Sequence, residues 1–171
     1  MSNRRVHLLG AALAALSLVL FTLVNAPLTH AEAISTDTLQ PMEGQLLTLL
    51  NNERVGRGLA PLTLDSSLED LARQRSNDMA SRNYFSHTTP EGTMVFDQMN
   101  AEGLPYQLAG ENLARNHESP DISPQVAHDG FMNSPAHAQN ELDPTFNKIG
   151  IGGAVAGDGT IYFTELFAAL N

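Results

Sequence analysis

The sequence contains no cysteine and no tryptophan, and only nine lysine and arginine residues stand against nineteen aspartates and glutamates. Without cysteine there is neither a disulfide nor a thiolate metal site, so stability has to come from packing. Aromatic residues make up 6% of the chain, which leaves leucine, isoleucine, valine and methionine to fill most of a core. A net charge of −10 repels phosphate backbones. It excludes nucleic acid as a natural partner, and equally an anionic membrane surface bound by charge alone.

Long apolar runs are also missing, except at the N-terminus. Arg4 and Arg5 precede an apolar stretch from Leu8 to about Val24. Ala31-Glu32-Ala33 then has the A-x-A form of a cleavage site, and Thr29-His30-Ala31 is a weaker one. The run lies at the lower limit for spanning a bilayer, so a retained signal anchor is the competing reading. Residues 1–33 are read as a cleavable signal peptide, which places the mature protein outside the cytoplasm, secreted or periplasmic, with no membrane span after cleavage. No cysteine follows to carry a lipid anchor. Removing this segment leaves 138 residues with a charge near −11, enough for one domain. Residues 34–42 read as a flexible lead-in and 43–171 as the domain.

Periodicity then places the elements. Leu39, Met42, Leu46 and Leu49 or Leu50 recur at helical spacing. Pro41 fits such a helix only in its first turn. Asp65, followed by Ser66-x-x-Glu69, opens a second helix whose face carries Leu68, Leu71, Ala72, Arg75 and Met79. A short helix is expected over Met94–Ala101 and a short strand near Gly110–Leu113. Ser123-Pro124 begins another helix, with Val126, Phe131 and Ala127 as its apolar face, and Ser134-Pro135 restarts it. Ile149, Ile151 and Val155, then Gly157-Asp158-Gly159, then Ile161, Phe163, Glu165 and Phe167 read as a terminal hairpin. The expected class is α/β (α+β), with a small antiparallel sheet flanked by helices.

No local catalytic motif is present, and Gly150-x-Gly152-Gly153 opens no helix, so it is discounted as a nucleotide loop. His117, beside Glu118, reads as solvated. His128, beside Asp129, reads as exposed or locally bonded. His87 and His137 each lie just outside a helix in a stretch rich in Ser, Pro and Asn, where a scaffold fixes binding residues in view of solvent. Glu111, in a short strand, needs a partner. Glu165 shares a face with Ile161, Phe163 and Phe167, so it is paired, opens into a cleft, or is turned outward by a bulge or an edge position.

Five ordered segments then resemble one family. They are Leu50-Asn51-Asn52-Glu53-Arg54 with Gly58 to Leu62, Asn83-Tyr84-Phe85-Ser86-His87-Thr88, and Ala109-Gly110-Glu111-Asn112-Leu113-Ala114. Phe131 to His137 and Asp143 to Gly152 complete the set. Together they resemble the CAP superfamily in its bacterial SCP-like branch, over about residues 43–169. The resemblance implies an α-β-α sandwich and a cleft lined by His87, Glu111 and His137. In many relatives the two histidines hold a divalent metal, often zinc, and a second glutamate completes the set. Here that position falls near Asn133 or Ser134, which leaves Glu165 as a substitute. Phe131 stands where tryptophan is usual, Ala136 replaces glycine, and Ala138 replaces an arginine. The metal set is thus His87, His137 and Glu111, weakly binding, with Glu111 either a ligand or a second support for a histidine. The functional expectation is a non-catalytic secreted module engaging lipid, cell-wall or protein ligands. A metal-dependent hydrolase and a structural envelope or adhesion protein are the alternatives.

Overall fold

The structure, a computed structural model, describes residues 36–170; the signal-peptide reading falls outside them. The chain runs α1 (Thr36–Gly56), β1 (Thr63–Leu64), α2 (Ser66–Arg82), α3 (Val95–Ala101), β2 (Tyr106–Asn116), α4 (Ser123–Met132), α5 (Pro135–Leu142), β3 (Lys148–Val155) and β4 (Ile161–Leu170). The sheet order is β1-β3-β4-β2. β4 pairs antiparallel with both β3 and β2, as the sequence suggests, and the two-residue β1 adds a parallel edge to β3.

Alternation along β4 sorts the layers, because successive side chains point to opposite faces. Ile161, Phe163 and Phe167 pack with Met42, Leu46 and Leu50 of α1 and Ala127 and Phe131 of α4. Leu166 and Ala168 pack with Leu68, Leu71 and Ala72 of α2 and with Val95 and Met99 of α3. The result is the expected sandwich, with α2 and α3 on one face and α1, α4 and α5 on the other.

Several local expectations shift. α1 starts at Thr36, inside the segment read as loose, and Pro41 lies in its interior. There the proline withholds one N–H from the helix, so packing of Met42, Leu46 and Leu50 carries the element. At α2, Asp65 is the cap, its carboxylate accepting from Ser67 and Leu68 N–H at 3.1 and 3.2 Å. Glu69 instead pairs with Arg73. β2 is eleven residues long rather than four. On α4 it is Ala127, His128 and Phe131 that are buried, whereas Val126 is 40% exposed.

Gly150 and Gly152 have a packing role. A Cβ on Gly150 would stand 2.0 Å from the Leu68 carbonyl carbon, and one on Gly152 would stand 2.2 Å from that of Ala72. The α2 backbone thus lies directly on β3. Ser76 on α2 reinforces the contact by donating to the Gly152 carbonyl at 2.8 Å.

Candidate functional site

The site is built around β2, which among the described residues pairs with β4 alone and so leaves its other edge without a strand. Glu111 and Leu113 face α2, and Asn112 faces α5. Residues from both sandwich faces therefore meet at one strand edge.

On the α2 side, Glu111 is 6% exposed. A carboxylate removed from water needs charged or strongly donating partners. Arg75 supplies one, with Nε 3.1 Å from Glu111 Oε1. The other Glu111 oxygen lies 2.6 Å from His87 Nδ1. Arg75 uses its remaining donors on the same stretch, bonding to the Tyr84 hydroxyl and the Ser86 carbonyl, both at 2.8 Å. Tyr84 in turn donates to Asp78 at 2.6 Å, and burial pushes its hydroxyl up to about 12. The turn carrying His87 is thereby fixed from below. A carboxylate on Nδ1 sets the tautomer and leaves Nε2 pointing away from Glu111, on a side chain that is 49% exposed.

On the other side, His137 sits in the first turn of α5. Its ring meets Phe131 edge to face, centroids 5.4 Å apart, so the smaller aromatic at 131 still packs as expected. Its carbonyl accepts from Asn112 Nδ2 at 3.2 Å. Burial, and then the charge of His87, hold the His137 imidazole below its usual value. The two histidines are thus within electrostatic reach of each other.

Glu165 lies elsewhere than on the cleft wall. It is fully buried, and its Oε2 accepts from Asn112 Nδ2 at 3.1 Å. Asn112 therefore stands between Glu165 and the His137 backbone. Behind it is a buried polar cluster that no motif in the sequence announces. His128, read as exposed or locally bonded, is 7% exposed, with Nδ1 3.3 Å from Glu141 Oε2 on the next helix. Arg54 is also buried and donates to the Glu141 and Asp143 carbonyls at 2.6 and 3.1 Å. Among the described residues, the buried side-chain atoms without a well-aligned hydrogen-bond partner all belong to this cluster: His128 Nδ1, both Glu141 oxygens and Glu165 Oε1.

The ionisation consequences follow from burial. Burial first, and Glu141 second, push Glu165 well above the ordinary carboxylate value of 4.5. The adjoining Glu141 carboxylate raises His128 above 6.5. Both groups bind protons more tightly in the folded state. Their stabilisation is complete below the unfolded values and is lost as pH rises through the folded ones. His137 acts in the opposite sense, but only as pH falls below about 6.5. Urea unfolding midpoints should therefore fall as pH rises above about 6.5, and Glu165→Gln should flatten part of that fall. Parallel pH profiles for wild type and variant would contradict the assignment.

Among the described residues no three His, Cys, Asp or Glu side chains form a group able to hold a metal ion. Glu111 is taken up by Arg75 and His87, so it fits as the support of a histidine better than as a third ligand. Two imidazoles without a third protein ligand do not fit a tight zinc site. His117, by contrast, ties β2 to the hairpin turn, with Nε2 2.9 Å from the Asp158 carbonyl and Nδ1 3.0 Å from Thr160 Oγ1.

Two buried polar residues flanking an open strand edge, each orienting a histidine segment, define a recognisable class. The profile of the Cysteine-rich secretory protein family (CAP) matches residues 47–167, and the chain belongs to that family. It is similar to YkwD of Bacillus subtilis, itself uncharacterized, with 38% identity over 136 residues, 77% of this chain and 51% of that one. An extracellular SCP-domain protein of Bacillus anthracis superposes with a TM-score of 0.66 at 31% identity, over 76% of this chain and 41% of its own. An outer surface protein of Borrelia burgdorferi shares the fold, with a TM-score of 0.68 at 21% identity, over 77% of this chain and 95% of its own. The chain thus spans about half the length of YkwD. No helix among the described residues is long and apolar enough to cross a membrane.

Proposed function

We propose that this chain is an exported binding module that holds a ligand in the cleft over the open β2 edge, between His87 on one side and His137 on the other. Export is supported by the N-terminal apolar run with its small-residue site, and by the extracellular and outer-surface descriptions of the relatives from Bacillus anthracis and Borrelia burgdorferi. The observation that carries the binding reading is the Arg75–Glu111–His87 chain. A buried ion pair is a weak source of stability, and here it fixes a half-exposed imidazole. A divalent ion, if offered, has the two imidazoles as its ligands, and without a third protein ligand such binding is weak.

The test is retention. Purified protein is mixed with cell-wall, lipid and extracellular protein fractions, and bound material is quantified for wild type and His137→Ala. Saturable retention of wild type in one fraction, reduced by His137→Ala, is the expected result. Retention no greater than that of heat-denatured protein in all three fractions would defeat the reading.

A further inference from the structure

A groove of about 490 Å³ adjoins His137 and is walled by Leu113, Ala114, Arg115 and Asn116 of β2, by Phe85, and by Val126 and Phe131 of α4. Three independent features of it point to one kind of occupant.

The first is the strand edge. Among the described residues β2 pairs with β4 alone, so alternate residues from Leu113 to Asn116 turn their N–H and C=O groups away from the sheet. Among the described residues, no helix, loop or side chain hydrogen-bonds to the backbone of Leu113, Ala114 or Arg115 outside that ladder. An extended chain laid along this edge would find main-chain donors and acceptors waiting, as in strand addition.

The second is charge. In a chain of net charge −10, every other basic side chain among the described residues is engaged. Arg57, Arg73, Arg75 and Arg82 pair with carboxylates, Arg54 with carbonyls, and Lys148 with Thr63. Arg115 has no hydrogen bond or ion pair among them. Its guanidinium carbon lies 4.9 Å from the Phe85 ring centroid, a stacking contact that orients the fork and leaves its donors open. Asn116 bonds to Ser123 at the start of α4, while Asn112 bonds to His137. Arg115 therefore stands at the end of the groove away from His137.

The third is apolar exposure. Phe85 and Val126 are each 40% exposed, on opposite sides of the strand edge. They form an apolar hollow beside the guanidinium.

Resting on the reading of the cleft as a binding site, we propose that the groove takes the C-terminal end of a short extended peptide. Its main chain adds to the outer edge of β2, an apolar side chain lies between Phe85 and Val126, and its carboxylate meets Arg115. Four strand residues at about 3.3 Å each correspond to about four residues of peptide.

The probe is N-terminally fluorescein-labelled Ala-Ala-Leu-Phe with a free carboxylate, followed by anisotropy. Saturable binding is expected. Amidation of the carboxylate, and Arg115→Gln, should each weaken it about tenfold or more, and the two together no further. Arg115→Lys should retain part of the affinity, and N-methylation of the central amides should abolish it through lost strand pairing. Arg115 is exposed, so the variants fold, and far-UV circular dichroism verifies this. Equal binding of acid and amide would overturn the proposal, as would indifference to Arg115. So would binding of palmitate in place of the peptide, since an acyl chain uses the apolar hollow without the strand edge. If the peptide fails while His137-dependent retention by a natural fraction persists, the peptide assignment alone falls. If both fail, the binding module falls with it.

Discussion

Arg75→Met should lower the stability of the protein by about 3–5 kcal/mol, the cost of leaving a buried carboxylate without its cation. The Arg75 side chain is 2% exposed and that of Glu111 is 1% exposed, so water cannot replace the lost partner. The change also removes the donors that hold Tyr84 and the Ser86 carbonyl, so the turn bearing His87 loosens with it. Urea unfolding checks the magnitude. Arg75→Met/Glu111→Gln should recover part of the loss, because the neutral amide no longer strands a charge. A single variant as stable as wild type would mean that Glu111 is solvated or neutral, against the placement described above.

Gly152→Ala is the second large effect, expected at about 3 kcal/mol or more. The added methyl would meet backbone atoms of Ala72 and Arg73 at 2.2 Å, and a helix backbone cannot rotate aside as a side chain can. α2 would have to lift from β3, which also stretches the Ser76 bond to the Gly152 carbonyl. Gly157→Ala, in the hairpin turn with nothing within 4 Å of the added Cβ, serves as the control and should stay within about 0.5 kcal/mol of wild type. Equal thermal midpoints for the two variants would show that the helix yields.

Both effects bear on what the sequence makes legible. The glycines of the Gly150–Gly153 stretch are visible in the sequence, yet their meaning depends on the helix that lies on them, a contact between segments some eighty residues apart. Arg75 can be placed on the apolar face of α2 from periodicity alone. A cation on such a face needs a buried acid, but the sequence does not say which, since Glu43, Glu141 and Glu165 are buried as well. His87, Glu111 and His137 are legible through their motifs and do converge on one strand edge. Glu165 is legible as an anomaly, a carboxylate on a core face, but its partner Asn112 is set by cross-strand register, which no local pattern encodes. His128 is hidden because Asp129 beside it suggests a local partner, while Glu141, the group that meets it, comes from the next helix. The expected strand, Gly110–Leu113, is the middle of β2, and the missed flanks carry poor strand formers in Ala109, Ala114 and Asn116. Pairing with β4 along the whole stretch overrides that preference.

The cleft also explains why two histidines so differently placed belong together. His87 is supported through Glu111 and Arg75 on the α2 face, and His137 through Asn112 and Phe131 on the α4 and α5 face. The two supports diverge from adjacent residues of β2, Glu111 and Asn112, to which the Asn140 side chain also donates. A ligand in the cleft would touch both sandwich layers while leaving the buried Glu141–Glu165 cluster undisturbed.

The orientation of His87 is the point on which this arrangement turns, and ring-nitrogen NMR of uniformly ¹⁵N-labelled protein above pH 7 reads it directly. The account predicts a His87 ring protonated at Nδ1 with a free Nε2, changed by Glu111→Gln and by Arg75→Met. A His87 ring protonated at Nε2, and indifferent to both substitutions, would contradict it.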